Sequence, residues 1–288
     1  MAPLVCIVTL NWRGADDTLG CVESLRLLTY PNFRVLVVDN GSGDDSVARI
    51  AEVCPDIDLV ETGANLGFAG GCNVGIRHAM ALGADYVWLL NSDTRADPQA
   101  LTAMVELAEA DAGVGAVGSL ICDRAKPDRV LAWGGGRVDL RFGRPAHTLA
   151  QVADAELDYL TGASLLLRTR ALEAVGLLDE GYFLYWEETD LCYRLRGQGW
   201  RLAVASGSRV LHRAPGASQR RLRQKDRHFN QSAVRFMFRY AKHPWPAVLV
   251  GGSLRFCKRL LCGELGRARA VVRGLACGLR QRHSDGSL

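Results

Sequence analysis

Four stretches of this 288-residue chain carry side chains able to do chemistry. Asp39 closes an apolar, β-branched run and precedes a Gly-Ser turn. Its carboxylate is suited to accept a hydrogen bond from the imino N–H of a uracil or thymine ring, and equally to cap the helix that opens near Asp44. Asp93, in the stretch WLLNSDT, follows another such run and is placed either to hold a divalent ion against a diphosphate or to cap a turn. His212, in VLHRAPGAS, is a second candidate ligand whose weight depends on Asp93. The stretch YFLYWEETDLCYRLR puts Glu187, Glu188 and Asp190 in the first turn of a helix, where negative charge is favoured and Asp190 reaches Arg194 at i+4. Beside Phe183, Tyr185 and Trp186, a desolvated acid there acquires the raised pKa of a general base.

These groups need a scaffold, and the pattern between them supplies one. Apolar β-branched runs at Leu4 to Leu10, Phe33 to Val38, Ile57 to Glu61, Tyr86 to Leu90 and Val114 to Ser119 alternate with helical periodicity. Cys21, Leu25 and Leu28 share one helical face, and Leu101, Met104, Val105 and Ala108 another, the latter opened by Asp97 as cap and Pro98 in the first turn. This predicts an α/β fold with a mostly parallel central sheet flanked by helices. Ligands of such sheets sit at the carboxyl ends of the strands, where Thr9, Asn11, Asp39, Asn91, Ser92 and Asp93 fall. The third strand runs into NLGFAGGCNVG, residues 65–75, with Asn65 and Gly67 at its start. Its glycines suggest a loop near phosphates but do not follow the GxGxxG spacing of a dinucleotide fingerprint. Residues 123–158 lose the rhythm, and Gly134, Gly135 and Gly136 suggest a loop or hairpin over a site. A last strand from Leu160 to Leu167, a helix from Trp186 to Arg196 and a strand ending near His212 complete the body.

Composition narrows the class. Hydrophobic residues at 48% and charged residues at 23% match globular usage and exclude a disordered or fibrous chain. No apolar run reaches the ~20 residues of a membrane-spanning helix, and the N-terminal segment reads as a first strand, which predicts a cytoplasmic protein. Nine cysteines with no CxxC pair read as reduced thiols, those within apolar segments buried. The net charge of +4 conceals an asymmetry: from Gln219 onward there are 16 Lys and Arg against 3 Asp and Glu, a net +13, while the rest carries 19 against 28, a net −9. An acidic body binding a pyrophosphate needs a cation, Mg²⁺ or Mn²⁺. A basic tail suits an anionic surface.

In order and type, VTLNW, VVDNGS, NLGFAGGCNVG, LLNSDT, LTGASLLLR, GLLDEGYFLYWEETDLCYRLRGQGW and VLHRAPGAS resemble the family 2 glycosyltransferases of the GT-A fold, most of all the bacterial rhamnosyltransferase-like branch. The likeness covers about three quarters of the chain. It implies that Asp39 contacts the pyrimidine, with Thr9 and Asn11 lining the nucleotide pocket together with Asn65, Gly67, Asn91 and Ser92. It also implies that Asp93 binds the metal with help from His212, and that one acid of the helix is the catalytic base of an inverting transfer. The pair usually reads Glu-Asp; here it is Glu187-Glu188, which assigns the base to Glu188 and leaves Glu187 and Asp190 as alternatives. Asn91 stands where a stricter motif has Asp. The implied donor is dTDP-rhamnose, with a UDP-sugar as alternative because Asp39 does not distinguish the two bases. The acceptor is a saccharide or lipid-linked saccharide of cell-surface polysaccharide synthesis, meeting Trp133, Gly162, Ala163 and Trp186.

The expected division is a glycosyltransferase domain over 1–218, with a nucleotide-sugar half at 1–120 and an acceptor half at 121–218, followed by a basic helical extension over 219–288. Phe229, Ala233, Phe236 and Tyr240 are spaced for one face of a helix, with Arg235, Arg239 and Lys242 opposite. After a break at Pro244, Trp245 and Pro246, Leu254, Cys257 and Leu261 repeat the pattern beside Arg255, Lys258 and Arg259. The extension suits the inner leaflet of the plasma membrane, the body itself, or a second copy in a homodimer. No nucleic-acid partner is expected, because the tail aromatics follow packing spacing and the body is acidic. Two rivals are a nucleotidyltransferase, which would need a basic glycine-rich loop after the first strand, and a catalytically silent relative that binds nucleotide only.

Overall fold

A computed structural model describes residues 1–213 and 219–284, without the side chains of Arg220, His283 and Ser284. The expected boundary at 218 and the last residues of VLHRAPGAS lie outside the described residues. The chain forms two compact units. The first comprises Met1–Arg137, His147–Glu180 and residues 188–213; the second comprises Val138–Ala146, Gly181–Glu187 and residues 219–284.

The first unit is built on β1 (Val5–Asn11), α1 (Ala15–Leu25), β2 (Phe33–Asp39), α2 (Ser46–Val53), β3 (Asp58–Glu61), α3 (Gly67–Ala81), β4 (Tyr86–Asn91), β5 (Thr94–Ala96), α4 (Ala100–Ala110), β6 (Val114–Asp123) and β7 (Val130–Trp133). Next come β8 (Gly135–Asp139) and β9 (Arg144–His147), within which the chain passes to the second unit and back. Then follow β10 (Tyr159–Leu160), β11 (Ser164–Arg168), α5 (Thr169–Val175), α6 (Glu187–Gly197) and β12 (Arg201–His212). The main sheet has the order β3-β2-β1-β4-β11-β6-β12-β5, with β7 beside β6. Strands β3, β2, β1, β4, β6 and β12 run in one direction, and β11, β5 and β7 run against it. The expected α/β fold with a mostly parallel, helix-flanked sheet is what the chain adopts. Central strands read as unbroken apolar runs because helices cover both faces. Trp88 and Leu90 of β4 meet Leu101, Met104 and Val105 of α4 in one core cluster; Val22, Val37 and Ile50 form another beneath α2. The six cysteines of this unit are buried.

Several local expectations change. The strand expected from Leu160 to Leu167 is broken at Thr161–Ala163, because Thr161 N–H turns away to donate to the Gly134 carbonyl (2.8 Å) and Ser164 N–H folds back on Thr161 (3.4 Å). Strand β6 runs on to Asp123 because β12 and β7 pair with its distal half. Gln99 is the N-cap of α4, two residues past Asp97, whose carbonyl accepts from Ala100 N–H. The segment 123–158 contains three short strands: β7 extends the main sheet, and β8 and β9 join β10 in a second, three-stranded one.

The second unit contains α7 (Gln219–Tyr240), α8 (Pro244–Leu261) and α9 (Leu265–Ser284). Ala233, Val234, Phe236 and Met237 of α7 are buried. Pro244 and Pro246 open α8 instead of merely interrupting the pattern, since a first-turn proline loses no helical hydrogen bond. Glycines set the packing: a Cβ at Gly252 would strike Leu275 of α9, and one at Gly274 or Gly278 would strike α7 backbone at Arg227 or Gln231.

Candidate active site

The site is best assembled along the strand ends of the first unit. Asn11 and Asp39 are paired residues at the ends of β1 and β2. Asn11 Nδ2 donates to Asp39 Oδ1 (2.7 Å), as does Ser42 Oγ (2.5 Å), and Ser42 N–H donates to Asp39 Oδ2 (3.0 Å). Thr18 Oγ1 then donates to Asn11 Oδ1 (2.8 Å). Asp39 is therefore a buried acceptor already serving three donors, which fixes the turn after β2. Gly41 in that turn has φ of 66°, and a Cβ there would strike the Ala64 backbone. Thr9 is wholly buried beneath this cluster, two residues back on the same side of β1 as Asn11.

The glycine-rich stretch is tied to the turn after β2. Asn40 accepts from Leu66 N–H (3.0 Å) and donates to the Gly67 carbonyl (2.9 Å), while Gly67 N–H donates to Asn65 Oδ1 (2.9 Å). Beyond Gly67 the stretch is already α3. A Cβ at Gly71 would meet Leu10 and Asn40, and one at Gly75 would meet Val8 and Val38. Gly71 and Gly75 thus let α3 lie close on β1 and β2.

Strand β4 adjoins β1, with Leu10 facing Asn91, and carries the chain to Ser92 and Asp93, both partly exposed. Strand β12 ends beside β5 and brings His212 opposite Thr94. His212 Nε2 lies 3.1 Å from Asp93 Oδ1 and 3.5 Å from Asn91 Nδ2. Partial burial pushes the Asp93 carboxyl up, but the hydrogen bond and charge of His212, with Arg124 behind, hold it below the ordinary carboxylate value. Asp17 of α1 takes an ion pair from Arg213 (2.6 Å) and one from Arg124 (3.5 Å), and Arg213 N–H donates to the Asp93 carbonyl (3.1 Å). Asp17, Arg124 and Arg213 went unremarked in the sequence, where nothing links positions so far apart.

Two protein donors, one carboxylate and one imidazole, fit a divalent ion that completes its shell with diphosphate oxygens and water. Among the described residues no group of three or more His, Cys, Asp and Glu gathers as an all-protein metal cage.

On the other side of β4, Asn91 N–H donates to the Ala163 carbonyl (3.1 Å), and Ser164 pairs with Leu90. The Thr161–Ala163 turn thus reaches the same sheet edge, next to Trp133 at the end of β7. Gly162 is closely covered: a Cβ on it would lie 3.7 Å from both the Glu188 side chain and the Phe68 ring. Phe68 was overlooked in the sequence, although an aromatic set among glycines was the available signal. The backbone amides of Gly162, Glu188 and Thr189 favour the charged Glu188 carboxylate, yet its Oε2 is enclosed without a hydrogen-bond partner. Burial dominates and raises the Glu188 pKa.

Asp190, two residues on, is fully buried and bonded by Arg194 Nε (2.8 Å), which also donates to the Val175, Gly176 and Leu177 carbonyls. Glu187 and Trp186 belong to the second unit, where Trp186 stacks among Phe229 and Phe236. Tyr185 and Trp186 have φ of 69° and 76°, a conformation that side-chain-bearing residues rarely hold, just ahead of Glu188. The structure thus strings Asp39, Asn11, Asn91, Asp93, His212, Gly162, Ala163 and Glu188 along one sheet edge, and gives Asp190 to a structural ion pair.

A mixed α/β sheet of this order, polar along its strand ends, is the GT-A type of fold. Solved structures agree at the level of fold. The mannosyltransferase PcManGT from Pyrobaculum calidifontis, in complex with GDP-Man and Mn²⁺, superposes with a TM-score of 0.61 at 19% identity, covering 100% of this chain and 77% of that one. GalNAc-T7 with UDP, GalNAc and Mn²⁺ gives 0.63 at 14% identity over 81% and 51%. The glycosyl transferase family 2 model matches residues 4–175, and the chain belongs to that family as a glycosyltransferase. Among its relatives are the N-acetylglucosaminyl-diphospho-decaprenol L-rhamnosyltransferase of Mycobacterium tuberculosis, 30% identical over 74% of this chain and 76% of the relative. The galactofuranosyltransferase GlfT1 of the same organism is 29% identical over 74% and 71%.

Proposed function

We propose that this chain is an inverting, metal-dependent glycosyltransferase acting on the cytoplasmic side of the plasma membrane. It moves rhamnose from dTDP-rhamnose to a hydroxyl of a lipid-linked saccharide in bacterial cell-surface polysaccharide synthesis. The observation that carries the reading is Glu188: a carboxylate with one enclosed, unpartnered oxygen and a pKa raised by burial, on the same sheet edge as the Asp93–His212 pair. The similarity to a rhamnosyltransferase whose named acceptor is a diphospho-decaprenol supports the sugar and the lipid. A UDP-sugar donor is the second reading, since the pyrimidine edge offered to Asp39 is shared and a galactofuranosyl relative stands close behind.

In this reading residues 1–120 hold the donor and residues 121–218 the acceptor, with the sequence from 219 on as a basic extension. Asp93 and His212 would hold Mg²⁺ or Mn²⁺, which when bound offsets the charge of the diphosphate leaving group. Arg124 and Arg213, fixed by Asp17, add positive charge near the same place. Glu188 accepts the proton of the acceptor hydroxyl. The acceptor's oxygen, freed of that proton, bonds the anomeric carbon from the face opposite the diphosphate, whose oxygen departs with the electron pair of the broken bond, so the configuration inverts. Trp133, Gly162 and Ala163 are the acceptor-side wall.

The test is a transfer and donor-hydrolysis screen over dTDP and UDP sugars with Mg²⁺ or Mn²⁺. Turnover with dTDP-rhamnose is expected. In Glu188→Gln it falls by about 10²- to 10⁴-fold while donor binding by calorimetry is kept, and Asp93→Ala weakens donor and metal binding together. Normal turnover in Glu188→Gln overturns the base; nucleotide binding without turnover on any donor means a silent relative.

A further inference from the structure

Helix α8 is built inside out for a protein surrounded by water. Its inward side is narrow and small: Ala247, Val248, Gly251 and Gly252 are buried, and a Cβ on Gly251 would strike the Phe142 carbonyl. The inward positions that remain are taken by arginines. Arg255 Nε donates to Asn230 Oδ1 (2.7 Å) and its Nη1 to the Gly143 carbonyl (2.9 Å), with the guanidinium 5.4 Å from the Phe229 ring centre. Burial brings the Arg255 pKa down to about 10. Arg259 turns in to Asp226 Oδ1 (3.1 Å).

The outward side carries the apolar residues. Trp245, Leu249, Leu254 and Leu261 are 48%, 58%, 51% and 89% exposed, and Val250, Cys257 and Leu260 are exposed between them. At 100° per residue these seven span one continuous half of the helix, interrupted only by Ser253 and edged by Lys258. A surface helix in water has the reverse polarity.

We infer that this face of α8 lies in the interfacial layer of an anionic lipid bilayer. It cannot be a crossing segment, because no helix among the described residues is long and apolar enough. The charge around it selects the occupant. Asp226 and Glu264, the two acids among the described residues of the tail, are both held by Arg259 and Arg267. They therefore leave the exposed Lys242, Lys258, Arg269, Arg273 and Arg280 unopposed by either of these described acids. A second copy would set one +13 segment against another. Anionic headgroups over an acyl layer satisfy both the apolar half-cylinder and the cations, with Trp245 at the boundary depth that indole prefers. The sequence offers the extension an anionic leaflet, the body or a second copy, with Arg255, Lys258 and Arg259 as the basic side of this helix; in the structure Arg255 and Arg259 turn inward.

This deepens the reading of a lipid-linked acceptor and rests on it for its purpose, but its test reads no sugar transfer. Full-length protein is sedimented with vesicles of phosphatidylethanolamine and phosphatidylglycerol, and with phosphatidylcholine alone, at low and high salt; light scattering reports its oligomeric state. Binding to the anionic vesicles is expected, weakened by salt and lowered at least about tenfold in the double variant Leu249→Ser, Leu254→Ser. Circular dichroism and retained nucleotide binding verify that the variant is folded. The inference is overturned by wild-type protein that ignores both vesicle types, by binding unchanged in the double variant, or by a dimer that the double variant splits with no vesicle binding. A chain that binds vesicles in this way yet transfers no sugar sinks the proposed function and leaves the inference standing.

Discussion

The two units place most of their charged groups differently. In the first, apolar strands fill the interior and the polar groups collect at the strand ends, where Asp93 and His212 bond chiefly to each other and stay open to solvent. In the second, Asp226 is buried among Arg259 and Arg267 while leucines of α8 face outward. The lesson is that a charge inside a fold does not by itself mark chemistry. What separates the kinds is whether its bonding capacity is filled. Asp226 has every oxygen engaged by arginine, and Asp190 is held by Arg194 in the same fashion. Glu188 keeps an enclosed oxygen with no partner.

That contrast is broken most forcefully at Asp226. Asp226→Ala leaves two arginines without their shared carboxylate, one of them largely buried, and removing one partner of a buried pair costs about 3–5 kcal/mol. The expected outcome in denaturant is a loss of that order, with the three-helix unit affected first; a loss within experimental error would mean the ion pairs are incidental. A smaller effect is expected at the packing of α3. Gly75→Ala forces a methyl into Val8 and Val38, and overpacking of this kind costs about 1–3 kcal/mol. Equilibrium unfolding reads it directly, and a neutral result would mean that Val8 and Val38 give way to the added methyl.

Much of the first unit is legible in the sequence because parallel strands covered on both faces appear as unbroken apolar runs, and because the rule of strand ends then points at Asp39, Asn91 and Asp93. The pairing of Asp190 with Arg194 is legible for a similar reason, since four residues is one helical turn. What escapes is whatever depends on distant segments meeting. Nothing local joins Asp17 to Arg213 or Phe68 to Gly162, and the break at Thr161–Ala163 is imposed by the Gly134 carbonyl. For α8 the periodicity identifies an apolar side and a basic side but not which of them turns inward. That is decided by Gly251 and Gly252, which allow contact closer than any leucine could make.

The finest distinction between the two kinds of buried charge is thermodynamic. Burial raises the Glu188 pKa, so its protonated form is favoured by the fold more than by the unfolded chain. Between the ordinary glutamate value of about 4.3 and the raised folded value, the native state binds more protons than the unfolded state, and stability falls as pH rises through that window. Glu188→Gln removes this titration. The difference in melting temperature between wild type and the variant should therefore shift against wild type on going from acid to neutral pH, by at most a few degrees. Turnover moves the other way: only the ionised carboxylate accepts the acceptor proton, so the acid limb of kcat lies above the ordinary glutamate range and activity is lost as pH falls through it. Parallel pH profiles of melting and of kcat test both at once. Opposite trends, crossing over the same interval, identify a carboxylate kept at a cost to stability for its chemistry. A flat melting difference would place Glu188 with Asp190 among the carboxylates that only hold the helix in place.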